Sequence, residues 1–134
     1  MTAKQYLNRA RRIDSEINTL LELVQSTRES LEMITQNYNQ DGSQGTKNPH
    51  KFDRLVELES QVDEKVDELV ALKGEILGTI LKLNDNRQRI ALTKYYLEMK
   101  TWEQIAVDMN YSWRQIMYIH GNALQEVQKL IIAC

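Results

Sequence analysis

The sequence predicts an all-α protein: a long antiparallel helical hairpin of coiled-coil character over residues 1–83, then a smaller helical domain over 84–134. Three observations carry this prediction. Apolar and small residues recur at alternating three- and four-residue spacing through two long runs, the period that keeps one face of a helix on a partner. Five Gly and one Pro in 134 residues leave too few turn residues for a β-rich fold. Near the C-terminus, two helix-start signals of the form Ser/Thr-x-x-Gln stand eleven residues apart.

The first run places Tyr6, Ala10, Ile13, Ile17, Leu20, Val24, Thr27, Leu31, Ile34 and Tyr38 on one stripe. Its gaps alternate four and three without interruption, a heptad seam sustained for more than four repeats. The stretch "NQDGSQGTKNPH", residues 39–50, is polar and rich in Gly, Asn and Ser, and reads as a linker. The next helix opens at Asn48 and Pro49: the proline pushes the preceding residue out of helical geometry, where it can cap, and itself suits the first turn. Phe52, Leu55, Val62, Val66, Leu69, Ile76, Ile80 and Leu83 continue the spacing, interrupted at Glu59 and Lys73. At 1.5 Å per residue each helix is roughly 50 Å long, and similar lengths joined by a short loop point to antiparallel pairing. Leu58, Val70, Leu72, Leu77 and Leu81 make the second stripe wider than one seam needs, which implies a further partner, either the C-terminal segment or a second copy of the chain. Gly74 and Gly78 share a face; a closely approaching helix would justify them, and local softness is the alternative.

Composition excludes several classes of function. No stretch reaches the roughly 18 apolar residues of a membrane span, and "MTAKQYLNRARRIDSEI" lacks the apolar core of a signal peptide, so the expected location is the cytoplasm of a bacterial host, with no membrane partner. The single cysteine, Cys134, has no partner within the chain for a disulfide or a zinc cluster. Glu57, Glu59, Asp63, Glu64, Asp67 and Glu68 form an acidic block whose members spread over several helical faces, a solvated surface rather than a metal site. Lys4, Arg9, Arg11 and Arg12 gather at the other sign of charge, either to touch phosphate or to keep the seam soluble. His50 and His120 have no acid, thiol or second histidine placed by motif to work with them, and there is no Gly-rich phosphate loop. The sequence therefore predicts no catalysis, no metal and no cofactor.

The chemistry-bearing part lies further on. Asn84 and Asp85 open an amphipathic helix through Ile90, Ala91, Leu92, Tyr95, Tyr96 and Leu97. Thr101 with Gln104, and Ser112 with Gln115, are capping boxes, in which a hydroxyl and an amide each satisfy a free backbone N–H. Tyr111 and Ile116 occupy the positions of a hydrophobic staple around the second box. Asn110 stands where a sharp bend requires the left-handed conformation, which asparagine tolerates, and Ala106 is small where the second helix crosses the first. Ile105, Met109, Ile116, Ile119, Ala123 and Val127 make an inner face, leaving Trp113, Arg114, Met117, Tyr118, Gly121 and Asn122 outward or at the boundary. An arginine, aromatics and an asparagine on one outer face suit a DNA major groove, where arginine can pair bidentately with guanine and apolar groups can meet thymine methyls.

"LTKYYLEMKTWEQIAVDMNYSWRQIMYIHGNAL" resembles region 4 of the sigma-70 family: a leading helix, an aromatic, a Thr or Ser before an "xEEIA"-like string, a short turn, a Ser cap and a recognition helix ending near "AL". It is more similar still to the small phage-encoded proteins with a sigma-region-4-like C-terminus, the group of ArpU-like and RinA-like late-transcription regulators. The resemblance covers roughly the last 50 residues. It implies a helix-turn-helix with recognition helix 112–131, capped by Ser112. Trp113, Arg114, Gln115, Met117, Tyr118, Gly121 and Asn122, with Lys100 on the preceding segment, would contact DNA. Met117 and Tyr118 stand where these families often carry Lys or Arg.

The implied function is a sequence-specific DNA-binding transcriptional regulator of phage or prophage origin, with double-stranded DNA as partner. The chain carries a net charge of −2. Residues 84–134 hold six basic residues (Arg87, Arg89, Lys94, Lys100, Arg114, Lys129) and five acidic ones (Asp85, Glu98, Glu103, Asp108, Glu126), a balance of +1. Phosphate neutralisation supplies most DNA affinity, so the module needs help, from a homodimer through the hairpin or from host RNA polymerase holding it at a promoter. Two alternatives stand beside this reading: a small terminase-like packaging component, and a protein-interaction module that uses the helix-turn-helix only as a scaffold.

Overall fold

The computed structural model of the chain describes residues 1–41 and 50–132. Every described element is helical, and the protein is all-α: α1 (Ala3–Asp41), α2 (His50–Ile80), α3 (Asn86–Leu92), a π-helical turn (Thr93–Leu97), α4 (Trp102–Met109) and α5 (Trp113–Ile132). Helix α1 extends to Asp41 and α2 begins at His50, so three residues at the start of the expected linker are helical. The expected cap at Asn48 and Pro49 lies outside the described residues, as do the side chains of Ile34 and Tyr38 and the terminal Cys134. Among the described residues no helix is long and apolar enough to cross a membrane.

The chain divides into two compact units, Met1–Ile13 with Leu69–Cys134, and Asp14–Glu68. Residues 1–13 and 69–83, which the sequence groups with the hairpin, thus pack in the unit that holds α3, α4 and α5. The core of that unit draws on every one of these segments: Leu7, Ala10, Ile76, Ile80, Ala91, Leu92, Tyr96, Ile105, Ile116, Ala123 and Val127 have no exposed surface. Burying a leucine- or isoleucine-sized side chain contributes about 1.5–3 kcal/mol from area alone. Polar contacts tie the same segments together. The Ala3 N–H donates to Gln128 Oε1 at 2.7 Å, Tyr6 Oη and Thr79 Oγ1 are 2.8 Å apart, and Arg9 pairs with Glu75 at 2.6 Å.

In the other unit Ile17, Val24, Leu31 and Leu58 are buried. Glu16 pairs with Lys65 at 3.1 Å and Arg28 with Glu59, so partner numbers fall along α2 as they rise along α1.

Along α1 the expected stripe holds at Ala10, Ile13, Ile17, Val24 and Leu31, which are buried; at its start Tyr6 is only half-buried, and its neighbour Leu7 is buried together with Ala3 in the unit that holds α3, α4 and α5. Of the expected α2 stripe, Leu55, Val62, Leu69, Ile76, Ile80 and Leu83 are buried or half-buried, but Phe52 and Val66 are 61% and 39% exposed, and Leu58, expected off the stripe, is buried. The inward positions run Leu55, Leu58, Val62, Lys65, Leu69, Leu72, Ile76, Thr79, Leu83, at strict three-four spacing, with each of them buried or half-buried. Counting apolar side chains misses this seam because two of its positions are polar. Lys65 satisfies its ammonium on Glu16 and Glu68, and Thr79 bonds Tyr6. Val70, Leu77 and Leu81 remain exposed, and a Cβ added at Gly74 or Gly78 meets nothing within 4 Å, so no close helix approach explains the glycines.

Candidate nucleic-acid interface

Helices α4 and α5 are joined by a three-residue turn whose geometry follows from its sequence. Asn110 ends α4 in the left-handed conformation (φ 58°, ψ 44°). This bend lets the Asn110 N–H reach the Val107 carbonyl at 3.1 Å and the Tyr111 N–H reach the Ala106 carbonyl at 2.9 Å, closing the helix end. Both capping boxes form. Thr101 Oγ1 accepts the Gln104 N–H at 3.2 Å, and Gln104 Oε1 accepts the Thr101 N–H at 3.0 Å. Ser112 Oγ accepts the Gln115 N–H at 3.2 Å, and Gln115 Oε1 accepts the Ser112 N–H at 2.8 Å. A cap of this kind contributes about 1 kcal/mol and fixes where each helix starts.

Upstream, Asp85 caps α3 by accepting the Arg87 N–H at 2.8 Å. The expected single amphipathic helix then departs from α geometry: Thr93–Leu97 widens into a π turn, with the Glu98 N–H on the Thr93 carbonyl at 3.0 Å, and Met99 adopts φ 60°. The extra residue turns Tyr96 wholly inward while Tyr95 stacks on Trp102 at 4.1 Å. Arg11 lies over the Tyr95 ring at 4.0 Å and donates to the Tyr95 carbonyl at 2.5 Å. Two of the N-terminal arginines, Arg9 and Arg11, are therefore engaged within this unit. The Tyr96 hydroxyl meets His120 Nε2 at 2.8 Å. Burial, and secondarily the charge of Lys4, lowers the His120 pKa to about 4; burial also pushes the Tyr96 phenol up. His120 is thus a neutral partner inside an aromatic cluster.

The inner face of α5 matches its spacing: Ile116, Ile119, Ala123 and Val127 are buried, packed with Ile105. Of the residues singled out for DNA contact, Ser112 at the cap and Trp113, Arg114, Gln115, Tyr118 and Gly121 on α5 are exposed, Trp113 at 51% and Tyr118 at 72%. Met117 and Asn122 are half-buried at its margins. Lys100 lies on the segment before α4, with its ammonium 2.9 Å from Asp108 and 3.7 Å from Glu98. Asp108 and the other nearby carboxylate raise its pKa.

The pairing of charges refines the +1 balance. Lys94 and Lys100 pair with Asp108, Lys129 with Glu126, Arg87 with Asp85, and Arg89 donates to the Leu83 carbonyl. Among the described residues Arg114 has neither an ion pair nor a hydrogen bond.

Sequence reasoning missed one feature. Arg87 and Tyr111 join Ser112, Arg114, Gln115, Tyr118 and Ile119 around an open pocket of about 360 Å³. Arg87 reads in the sequence only as part of a helix start, and nothing in linear spacing links it to a helix 25 residues further on. Among the described residues no group of three or more His, Cys, Asp or Glu is placed to hold a metal ion.

The fold and this site define an all-α protein with a doubly capped helix pair presenting an exposed arginine and two aromatics. No family model, curated protein or solved structure matches the chain.

Proposed function

We propose that this protein is a sequence-specific DNA-binding transcriptional regulator of phage or prophage origin, with α5 entering the major groove as the recognition helix of a helix-turn-helix. The observation that carries this reading is the outer face of α5: Arg114 unpaired among the described residues, beside exposed Trp113, Tyr118 and Gly121, on a helix start held by a complete capping box. An unpaired guanidinium keeps all its donors for a base edge, and the two aromatics can meet thymine methyls. The resemblance to sigma region 4 supports the same assignment. Because Lys94, Lys100 and Lys129 are ion-paired and Arg89 is spent on a backbone carbonyl, one module has weak phosphate affinity, and a second copy or RNA polymerase supplies the rest. Exposed Val56, Val66, Val70 and Leu77 along α2 support the homodimer route.

Selection of random duplex DNA by the full-length protein at low and moderate salt tests the reading. An enriched motif is expected, with Arg114→Ala relaxing preference at one base pair by about 1–3 kcal/mol. If no sequence is enriched, base reading by α5 is wrong. The same scarcity of free cations favours the second reading, a protein-contact module on a helix-turn-helix scaffold, which that outcome would leave standing.

A further inference from the structure

We propose that the pocket between the first turn of α3 and the start of α5 seats a backbone phosphodiester of the bound nucleic acid, with Arg87 as the anchoring cation. The proposal rests on the DNA-binding reading above and names a contact which that reading does not contain.

The pocket's chemistry is one-sided. Its polar groups are two guanidiniums, two phenols, a serine hydroxyl and a glutamine amide, and no carboxylate lines it. The capping box decides what each has left to offer. Gln115 Oε1 is occupied by the Ser112 N–H, which leaves both N–H groups of its amide free to donate. Ser112 Oγ is occupied as an acceptor by the Gln115 N–H, which leaves its proton to donate. A side chain committed to capping is thereby turned into an outward donor. Asp85 uses Oδ1 to cap α3 and its Oδ2 meets Arg87 Nη2 at 3.4 Å, with the Tyr111 phenol beside the same guanidinium, which leaves others of its five donors available. A concave site that offers several donors and two guanidiniums, one of them also paired with Asp85, fits a monoanionic oxygen-rich group, and the phosphodiester is the one that lies beside a helix in the major groove.

Arg87 and Arg114 then divide the work. Arg87 comes from α3 and holds the strand, which fixes how α5 enters the groove, while Arg114 on α5 is turned to the base edges.

The test measures binding of full-length wild type, Arg87→Gln, Tyr111→Phe and Arg28→Gln to the enriched duplex and to a random duplex across a fourfold range of salt. Arg87→Gln is expected to weaken both duplexes by the same factor, about tenfold, and to flatten the log–log salt slope by about 0.9. That slope change amounts to about a 3.5-fold smaller loss over the salt range. Tyr111→Phe keeps the α3 cap intact and is expected to give a smaller loss of the same uniform kind. Arg28→Gln, whose charge is matched by Glu59 and which has no part in the proposed interface, leaves the slope within error. An unchanged slope in Arg87→Gln while the wild type binds, or a loss confined to the enriched sequence, overturns the phosphate seat and leaves the recognition helix standing. A wild type that binds no duplex removes the DNA-binding reading itself. Inorganic phosphate that competes with the labelled duplex as well as unlabelled duplex does would make the pocket a free-anion site and also overturn the proposal.

Discussion

His120 makes stability depend on pH in a window that no other perturbed group among the described residues shares. Its pKa falls from the ordinary 6.5 to about 4, chiefly because the ring is desolvated among Tyr95, Tyr96 and Trp102, and secondarily because Lys4 lies nearby. The folded protein thus resists a proton that the unfolded chain accepts. The stabilisation is complete above the unfolded value and is lost as pH falls from about 6.5 to about 4. That interval corresponds to at most about 3 kcal/mol, and because the ring is only half-buried, solvent screening reduces the expected loss to about 1–2 kcal/mol. Asp85 and Asp108, held low by Arg87 and Lys100 respectively, give up their contributions only as pH falls below the ordinary carboxylate value of 3.8, beneath this window. Urea unfolding followed by far-ultraviolet circular dichroism at several pH values between about 7 and 4.5 reads the effect. His120→Gln should be less stable than wild type at neutral pH, because Tyr96 loses its 2.8 Å partner, yet show a flatter dependence on pH. A variant whose dependence parallels that of the wild type across the window would refute the assignment to His120.

Two further outcomes follow from backbone geometry. Gly74→Ala and Gly78→Ala should each stabilise the protein by about 0.5–1 kcal/mol, since open space surrounds the new methyl and helix propensity improves, as urea midpoints would report. Asn110→Ala should cost about 1 kcal/mol, because alanine at the left-handed φ of 58° keeps the Cβ clash and lacks the short polar side chain that lets asparagine tolerate it, while Asn110→Gly should be near neutral; equal effects would mean the turn relaxes.

The region from Thr101 through α4, the turn and the start of α5 was legible residue by residue because its determinants are local. A capping box closes over three residues, and a left-handed asparagine is a property of one residue and its neighbours, so Thr101, Gln104, Asn110, Ser112 and Gln115 all stand where spacing alone put them. The inner face of α5 was equally readable from its period. The π turn at Thr93–Leu97 was not. Its sequence continues an ordinary amphipathic pattern, and the wider turn answers a tertiary demand to bury Tyr96 against His120 while Tyr95 stacks on Trp102.

Helical content, the two three-four repeats and the capped start of α5 were determined by the sequence itself, since each depends on interactions spanning at most a few turns of one helix. Which residues of a repeat face inward, and which cations remain free, were decided only in three dimensions. Lys65 and Thr79 could enter the α2 seam because Glu16 and Tyr6 were there to meet them, and Leu7 displaced Tyr6 from the core because α5 and the end of α2 pack against the start of α1. The same holds for the pocket. Arg87 and Gln115 carry no shared signal along the chain, and become one donor-lined surface only because packing sets α3 against α5.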